Sequence, residues 1–182
     1  MDEAAGELVV LSGPPGTGKT TVARILADEV CPSVHLHTDD FWRYIRRGAI
    51  LPYLPEAERQ NEVVIGILAE AACGYAAGGF HVVVDGVVGP WFVDRFIEAA
   101  GARGLDLHYV VLRADEATTV ERGMARGEGE LTDPEALRGM RAQFADLGRL
   151  EAHVLETGAL DVAETAAAVR KGVAAGRFRL RA

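Results

Sequence analysis

The residues with the clearest chemical signature lie near the N-terminus, in the stretch LSGPPGTGKTTVA over 11–23. Its Gly13, Gly18, Lys19 and Thr20 match the phosphate-loop pattern G-x-x-x-x-G-K-[ST]. Glycines let successive backbone N–H groups turn towards an anion, and the N-terminus of the following helix adds partial positive charge. The lysine of such a loop reaches the β- and γ-phosphates, and the hydroxyl holds Mg²⁺. We therefore predict an ATP and Mg²⁺ site formed by Gly13, Pro14, Pro15, Gly16, Thr17, Gly18, Lys19, Thr20 and Thr21.

Acidic residues follow two other apolar runs. HTDDFW (37–42) contains Asp39 and Asp40, and FHVVVD (80–85) ends in Asp85. Asp85 has the position of the acid that accepts a hydrogen bond from Mg²⁺-bound water or from substrate, so we predict that it and Thr20 form the metal site. Each acid also has a structural interpretation, because Asp commonly caps helices and starts turns.

Apolar runs alternate along the chain with segments of helical periodicity. Strands are predicted at 7–12, 33–38, 80–85, 105–113 and 152–157, and helices at 19–30, 55–77, from Pro90 to before Gly101, 115–126, 132–147 and about 161–175. The helix at 132–147 is predicted to begin with a capping box of Thr132 and Glu135. Runs of Val and Leu without polar alternation are typical of a parallel sheet covered on both faces. Ligands of such a sheet bind at the carboxyl ends of its strands.

Length and composition limit the choice of function. A chain of 182 residues suits one domain, and we treat 1–182 as such. Its net charge of −8 disfavours a broad nucleic-acid surface, which needs clustered Lys and Arg. Cys31 and Cys73 are too few for a disulfide framework, and we expect both to be buried free thiols. No apolar run is long enough for a membrane span and no signal peptide is evident, so we expect a soluble, cytoplasmic protein without a membrane partner.

The order of elements and three motifs resemble the small phosphate-loop kinases: shikimate and gluconate kinases, chloramphenicol phosphotransferase, polynucleotide kinase and the zeta-toxin sugar-nucleotide kinases. The motifs are the phosphate loop, HTDDFW and ERGMARGEGE (121–130). The resemblance implies a three-layer α/β P-loop NTPase fold, with a five-stranded parallel sheet of order 2-3-1-4-5, helices on both faces and a short helical lid at about 122–135.

The resemblance also implies catalytic roles. These families place a carboxylate after the second strand, where it accepts the proton of an alcohol during phosphoryl transfer. We assign that role to Asp39, with Asp40 as the alternative. Arg122 and Arg126 are spaced i, i+4 as in the arginine-bearing lid of this group, and with Lys19 they would neutralise the transferring phosphoryl group. A solvated basic helix face is the structural alternative for the two arginines.

The acceptor side is predicted from the segment at about 39–60 and from VVGPWFVDRF (87–96). We expect Asp40, Trp42, Arg43, Arg46, Asp85 and Trp91 to contact the acceptor. An ordinary amphipathic helix with solvated arginines and core aromatics explains the same residues without a ligand. Thr157, in a segment that resembles the adenine-side loop of this group, is predicted to contact the nucleotide base through its backbone.

His35 and His37 alternate with apolar residues and would share one face of a strand. A metal site is one interpretation, but no third ligand has matching spacing, so we favour core or nucleotide-side histidines.

GPPGTGKT is also common in oligomeric AAA-type ATPases, in which a glutamate beside the second acidic position polarises water. Here Gly86 follows Asp85, only about 100 residues remain for a helical lid domain, and GTPase base-reading motifs of the N-K-x-D type are absent. The sequence therefore favours a kinase that moves the γ-phosphate to the hydroxyl of a small molecule, such as a metabolite, sugar or antibiotic. A nucleoside, nucleotide or nucleotide-sugar kinase and an ATP-binding regulator or AAA-like NTPase are the alternatives, and either a monomer or a homodimer fits the chain.

Overall fold

The computed structural model describes residues 5–114 and 133–180. Its strands are β1 (Leu8–Ser12), β2 (Ser33–His37), β3 (His81–Gly86), β4 (Leu107–Arg113), β5 (Val154–Glu156) and β6 (Arg179–Leu180). Its α-helices in these ranges are α1 (Lys19–Asp28), α2 (Thr38–Arg43), α3 (Glu58–Ala77), α4 (Pro90–Gly101), α5 (Pro134–Ala142) and α6 (Val162–Ala174). Short 3₁₀ helices cover Pro55–Ala57 and Gly148–His153.

The strands form one sheet in the order β2-β3-β1-β4-β5, with every neighbouring pair parallel. The predicted order 2-3-1-4-5 and the α/β fold class are therefore confirmed. The sheet has one more strand than predicted, because β6 pairs antiparallel with the start of β4. Two residues give too short a pattern to be recognised as a strand in the sequence.

The strands β1, β3 and β4 are buried on both faces of the sheet, which explains their unalternating Val and Leu runs. Successive residues of β1 point to opposite faces, and all five are buried. Leu8 and Val10 pack into one hydrophobic cluster with α3 and α4. Val9 and Leu11 pack into the other cluster with α1 and α6. These two clusters hold the strand ends in fixed relative positions. The loops that follow the strands therefore begin at rigid points.

Several local predictions need correction. Helix α5 is capped by Asp133, whose side chain accepts a hydrogen bond from the backbone of Ala136, and so the box predicted from Thr132 is wrong. Cys73 is buried as expected, but Cys31 is exposed, because it lies in the turn between α1 and β2 and outside both hydrophobic clusters.

Two of the predicted elements fall wholly or mostly on residues outside the described ranges. The predicted helix at 115–126 lies outside the described residues, as does most of the predicted lid at 122–135. Within 5–114 and 133–180, no helix is both long and apolar enough to cross a membrane.

A buried hydrogen-bond cluster fixes the segment that follows β3. The Ser12 hydroxyl donates to the Val88 carbonyl oxygen at 2.7 Å and accepts from the Val88 N–H at 3.0 Å. The Tyr109 hydroxyl donates to the same carbonyl at 2.6 Å. The segment after β3 is thereby attached to β1 and β4, next to the phosphate loop.

Candidate functional site

The phosphate loop connects β1 to α1 at the carboxyl edge of the sheet. Gly13 has φ +141°, and a Cβ there would lie 2.3 Å from the Leu112 carbonyl oxygen, so only glycine fits. Gly16 and Gly18 also have positive φ, and α1 begins at Lys19 directly after the left-handed Gly18. The loop therefore presents the first N–H groups of α1 beside a glycine-rich turn, which is the arrangement that binds phosphate.

Two side chains of the phosphate loop donate hydrogen bonds to a backbone oxygen of the same loop. The buried Lys19 ammonium donates to the Pro14 carbonyl oxygen at 3.2 Å, and the Thr17 hydroxyl donates to the same oxygen at 3.0 Å. Pro15 is buried in the turn, whereas Thr21 is exposed on the first turn of α1. The loop is thus preorganised around a buried lysine.

Asp85 is the buried acid at the end of β3, with a fully inaccessible side chain. The Thr20 hydroxyl donates to its Oδ2 at 2.6 Å, so the predicted metal pair is in direct contact. Asp85 Oδ1 lies 2.5 Å from His35 Nε2 and 3.1 Å from His37 Nδ1. Burial raises the pKa of Asp85, but the hydrogen bonds from His35, His37 and Thr20 outweigh it and hold that pKa well below its ordinary value.

The two histidines lie in the candidate site, and sequence reasoning placed them on one strand face without finding their partner Asp85. The β2–β3 register sets His37 opposite Asp85, and His35 two residues earlier points to the same face. Hydrogen bonds to Asp39 and Asp85 raise the pKa of His37 to about 10, against a smaller opposing effect of burial. The signal in the sequence was the alternation of His35 and His37, but it became interpretable only once the neighbouring strand was known.

Asp39 lies on the first turn of α2 and faces this cluster. Its Oδ2 is 3.5 Å from His37 Nε2. The hydrogen bond to His37 lowers the pKa of Asp39, burial opposes this, and the Lys19 charge lowers the pKa further. Asp39 is therefore an ionised carboxylate within electrostatic reach of the phosphate-loop lysine. Asp40 instead forms an exposed ion pair with Arg43 at 3.1 Å.

The predicted acceptor residues occupy different surroundings. Trp42 packs against the core and donates its indole N–H to the Asn61 side-chain oxygen at 2.8 Å. Trp91 is about half exposed on the first turn of α4, in edge contact with Phe92 and Phe144. Arg43 and Arg46 are exposed.

A groove with a volume of about 630 Å³ lies between α2 and α3, lined by Phe41, Tyr44, Ile45, Gly48, Ile50, Glu56, Arg59, Gln60, Val63, Val64 and Ile67. With about 100° between successive helical residues, Phe41 lies on the face of α2 opposite Asp39, and Tyr44 and Ile45 follow the end of that helix. The Gln60 side chain both donates to and accepts from the Ile50 backbone, which holds the loop wall against α3. The apolar side chains of this segment therefore line a groove against α3.

Two predictions concern the contact with the nucleotide base and the arginines of the lid. Thr157 is buried, and both its N–H and its hydroxyl donate to the Arg113 carbonyl oxygen, at 2.8 and 3.2 Å. Its backbone contact with a base stays a prediction. Arg122 and Arg126 lie outside the described residues.

The residues present fit ATP and Mg²⁺. The tightly packed Gly13 cradle would be filled by any Cβ, and the hydroxyl and carboxylate oxygens of Thr20 and Asp85 are the ligand type that Mg²⁺ prefers. Among the described residues, no group of three His, Cys, Asp or Glu side chains has metal-binding geometry. A metal held by the two histidines is therefore not indicated in the described part of the chain.

Comparisons with known proteins agree with this arrangement. Residues 8–147 match the family model AAA_33, described as an AAA domain. A curated cytidylate kinase from Archaeoglobus fulgidus is 27% identical over 89 residues, which are 48% of this chain and 49% of that protein. The matched region thus spans about half the length of this relative.

Solved structures show the same fold at low identity. The tunicamycin resistance protein of Deinococcus radiodurans has a TM-score of 0.69 and 18% identity, covering 92% of this chain and 95% of that one. A gluconokinase from Sinorhizobium meliloti 1021 has a TM-score of 0.64 and 20% identity, covering 95% and 94%. The predicted resemblance to the small phosphate-loop kinases is confirmed for the fold. The chain belongs to the AAA_33 family of P-loop domains, which the family model describes as AAA domains.

Proposed function

We propose that this protein is an ATP- and Mg²⁺-dependent phosphotransferase that moves the γ-phosphate to a hydroxyl group of a small molecule. The observation that carries the proposal is the Asp39 carboxylate, which lies 3.5 Å from His37 Nε2 at the start of α2 and whose pKa is lowered by His37 and by the charge of Lys19. A positioned carboxylate can accept the proton of an alcohol, and the position beside Asp85, where AAA-type ATPases have the glutamate that polarises water, is Gly86 here.

The nucleotide end is formed by the phosphate loop. Its N–H groups and Lys19 hold the β- and γ-phosphates, and Thr20 with Asp85 hold Mg²⁺ directly or through its water. Bound Mg²⁺ supplies charge neutralisation between the β- and γ-phosphates. Arg122 and Arg126 are proposed to add positive charge from the lid and to exclude water.

Asp39 acts as the base. As the bond from the acceptor oxygen to γ-phosphorus forms and the bond to the ADP oxygen breaks, the hydroxyl proton passes to the Asp39 carboxylate. Asp39 is favoured over Asp40 because Asp40 is paired with Arg43 on the surface, whereas the charge of Lys19 acts on Asp39. Asp40, Trp42, Arg43, Arg46, Asp85 and Trp91 remain the proposed acceptor contacts, and Thr157 the proposed base contact.

The acceptor class has three candidates. The fold neighbours named gluconokinase and tunicamycin resistance protein support a sugar or an antibiotic. The sequence match to a cytidylate kinase supports the alternative of a nucleoside or nucleotide acceptor. A cytoplasmic monomer or homodimer acting on such a molecule is the simplest form of the proposal.

The test is acceptor-dependent release of ADP over a panel of sugars, sugar acids, nucleosides, nucleoside monophosphates and hydroxylated antibiotics, with products identified by mass. The proposal predicts a phosphorylated product for at least one class, and Lys19→Ala should abolish it by impairing nucleotide handling. ADP release at the same rate without any acceptor would instead indicate an NTPase. That is the activity that the description of the family as AAA domains suggests. ATP binding without turnover over the whole panel would indicate a regulator.

A further inference from the structure

His37 lies between two carboxylates that have different surroundings. Its Nδ1 is 3.1 Å from Oδ1 of Asp85, and its Nε2 is 3.5 Å from Oδ2 of Asp39. The Asp85 side chain is inaccessible, the imidazole is 23% exposed and the Asp39 side chain is 48% exposed. The imidazole thus joins a buried carboxylate to one at the surface of the site.

Asp85 is a fixed point for this contact. It belongs to β3, an inner strand of the sheet between β2 and β1, and also accepts hydrogen bonds from Thr20 at 2.6 Å and from His35 at 2.5 Å. His37 is the residue paired with it across the β2–β3 register. Position and orientation of the imidazole are therefore set by the sheet, not by the loop that follows.

Asp39 has no comparable support of its own. It lies in the first turn of α2, a helix of only six residues. Apart from the contact with His37, the Asp39 carboxylate accepts a hydrogen bond at 3.4 Å from the hydroxyl of Thr38, the neighbouring residue of the same short helix, which cannot attach it to the sheet. An exposed carboxylate with so few contacts would sample several rotamers unless His37 held it.

We propose that His37 is a positioning residue, which attaches one oxygen of the Asp39 carboxylate to the buried Asp85 and so directs the other oxygen towards the acceptor hydroxyl. The inference rests on the proposed role of Asp39 as base. Phosphoryl transfer passes through a loose transition state in which little proton transfer has occurred, so correct placement of the base matters more than high basicity. The pairing with His37 lowers the pKa of Asp39 and so makes it less basic. This agrees with placement being more important than basicity.

Two substitutions separate the contacts of the imidazole. In His37→Asn the amide nitrogen takes the place of Nδ1, so the contact with Asp85 is kept and the contact with Asp39 is lost. In His37→Gln the longer side chain places its amide nitrogen near the former Nε2, so the contact with Asp39 is restored. Both variants lack the imidazole ring, so each is a control for the effect of losing the ring itself.

The first readout is the crystal structure of each variant. We expect the Asp39 carboxylate to leave its position in His37→Asn and to keep it in His37→Gln. The second readout is kinetic, with the acceptor identified from the panel. His37→Asn should lower kcat by about tenfold and leave the KM for ATP within about twofold, whereas kcat of His37→Gln should stay within about threefold of wild type.

An unmoved Asp39 in the folded His37→Asn variant would overturn the inference, as would an equal loss of kcat in both variants. Thermal unfolding of both variants shows whether the fold is intact. The failure of the proposed function is a different result: no acceptor is phosphorylated, or Asp39→Asn retains full turnover. In either of those cases, displacement of Asp39 in His37→Asn still shows that His37 fixes the carboxylate, because that readout requires no acceptor.

Discussion

Asp85 gives the strongest quantitative prediction, because a buried carboxylate with three donor side chains should contribute much to stability. In Asp85→Asn the shape is conserved, but one carboxylate oxygen becomes an amide nitrogen that cannot accept. With the amide oxygen at the Oδ1 position, both histidine contacts persist but lose the assistance of the carboxylate charge, and the Thr20 hydroxyl must rotate to accept from the amide nitrogen. At about 1.5 kcal/mol for the lost charge assistance of each histidine contact, the free energy of unfolding should fall by about 3 kcal/mol. The result agrees with the range of about 3–5 kcal/mol for breaking a buried ion pair.

The assay is urea unfolding without nucleotide at pH 6, analysed by linear extrapolation with the m-value checked for constancy. A loss of about 3 kcal/mol corresponds to a decrease of about 6–12 °C in Tm for a chain of this size. Asp106→Asn is the matched control, because Asp106 forms an exposed pair with Arg179 and should cost less than about 1 kcal/mol. Equal losses in the two variants, or a loss below about 1 kcal/mol for Asp85→Asn, would refute the reasoning.

The pH dependence of the stability difference between wild type and Asp85→Asn follows from the directions of the pKa shifts of Asp85 and His37. The lowered pKa of Asp85 contributes stability above its unfolded value of 3.8, and this is lost as the pH falls below that value. The raised pKa of His37 contributes stability below its unfolded value of 6.5, and this is lost as the pH rises towards about 10. The wild-type advantage over Asp85→Asn should therefore be largest between about pH 4 and 6.5 and shrink at alkaline pH. A constant difference from pH 6 to 10 would contradict the ion-pair interpretation.

Three substitutions test the packing around the site by the same unfolding assay. Gly86→Ala should cost about 2–3 kcal/mol, because its Cβ would lie 1.8 Å from the Thr38 hydroxyl oxygen and the φ of +159° disfavours a side chain. Gly66→Ala is its matched control, since nothing lies within 4 Å of that Cβ, and a helix-interior alanine should stabilise by about 0.5–1 kcal/mol. Tyr109→Phe should cost about 1–2 kcal/mol by removing the hydrogen bond to Val88, and an unchanged stability would exclude that bond as a contributor.

The fold was predictable from the sequence because its signals are long and repeated. The runs that became β1, β3 and β4 contain few polar residues, and strands buried on both faces of a parallel sheet require that composition. Features of one or two residues were not predictable. β6 has two residues, and the cap of α5 moved from Thr132 to Asp133 because both types serve as caps and only the backbone decides between them.

The site was predictable as far as local chemistry goes. Residues 13–20 form a phosphate loop by their own spacing, and Thr20 meets Asp85 as the motif implies. The roles of His35 and His37 depend on which residue lies opposite them in β3, and a strand pattern has no information on register. The segment after Asp39 was predicted to form the acceptor side; Phe41 and Tyr44 line a groove against α3, and contact of this segment with an acceptor stays a prediction.

The central claim is that Asp39 serves as the base in transfer of the γ-phosphate to a hydroxyl group. The most direct measurement compares Asp39→Asn with wild type and with Asp40→Asn, using acceptor-dependent turnover and, separately, the Kd for ATP. The account predicts that Asp39→Asn loses about 10²-fold in turnover while its Kd for ATP stays within about twofold. Asp40→Asn should retain most of the turnover, because its carboxylate is paired with Arg43 at the surface. Turnover like that of wild type in Asp39→Asn would contradict the account.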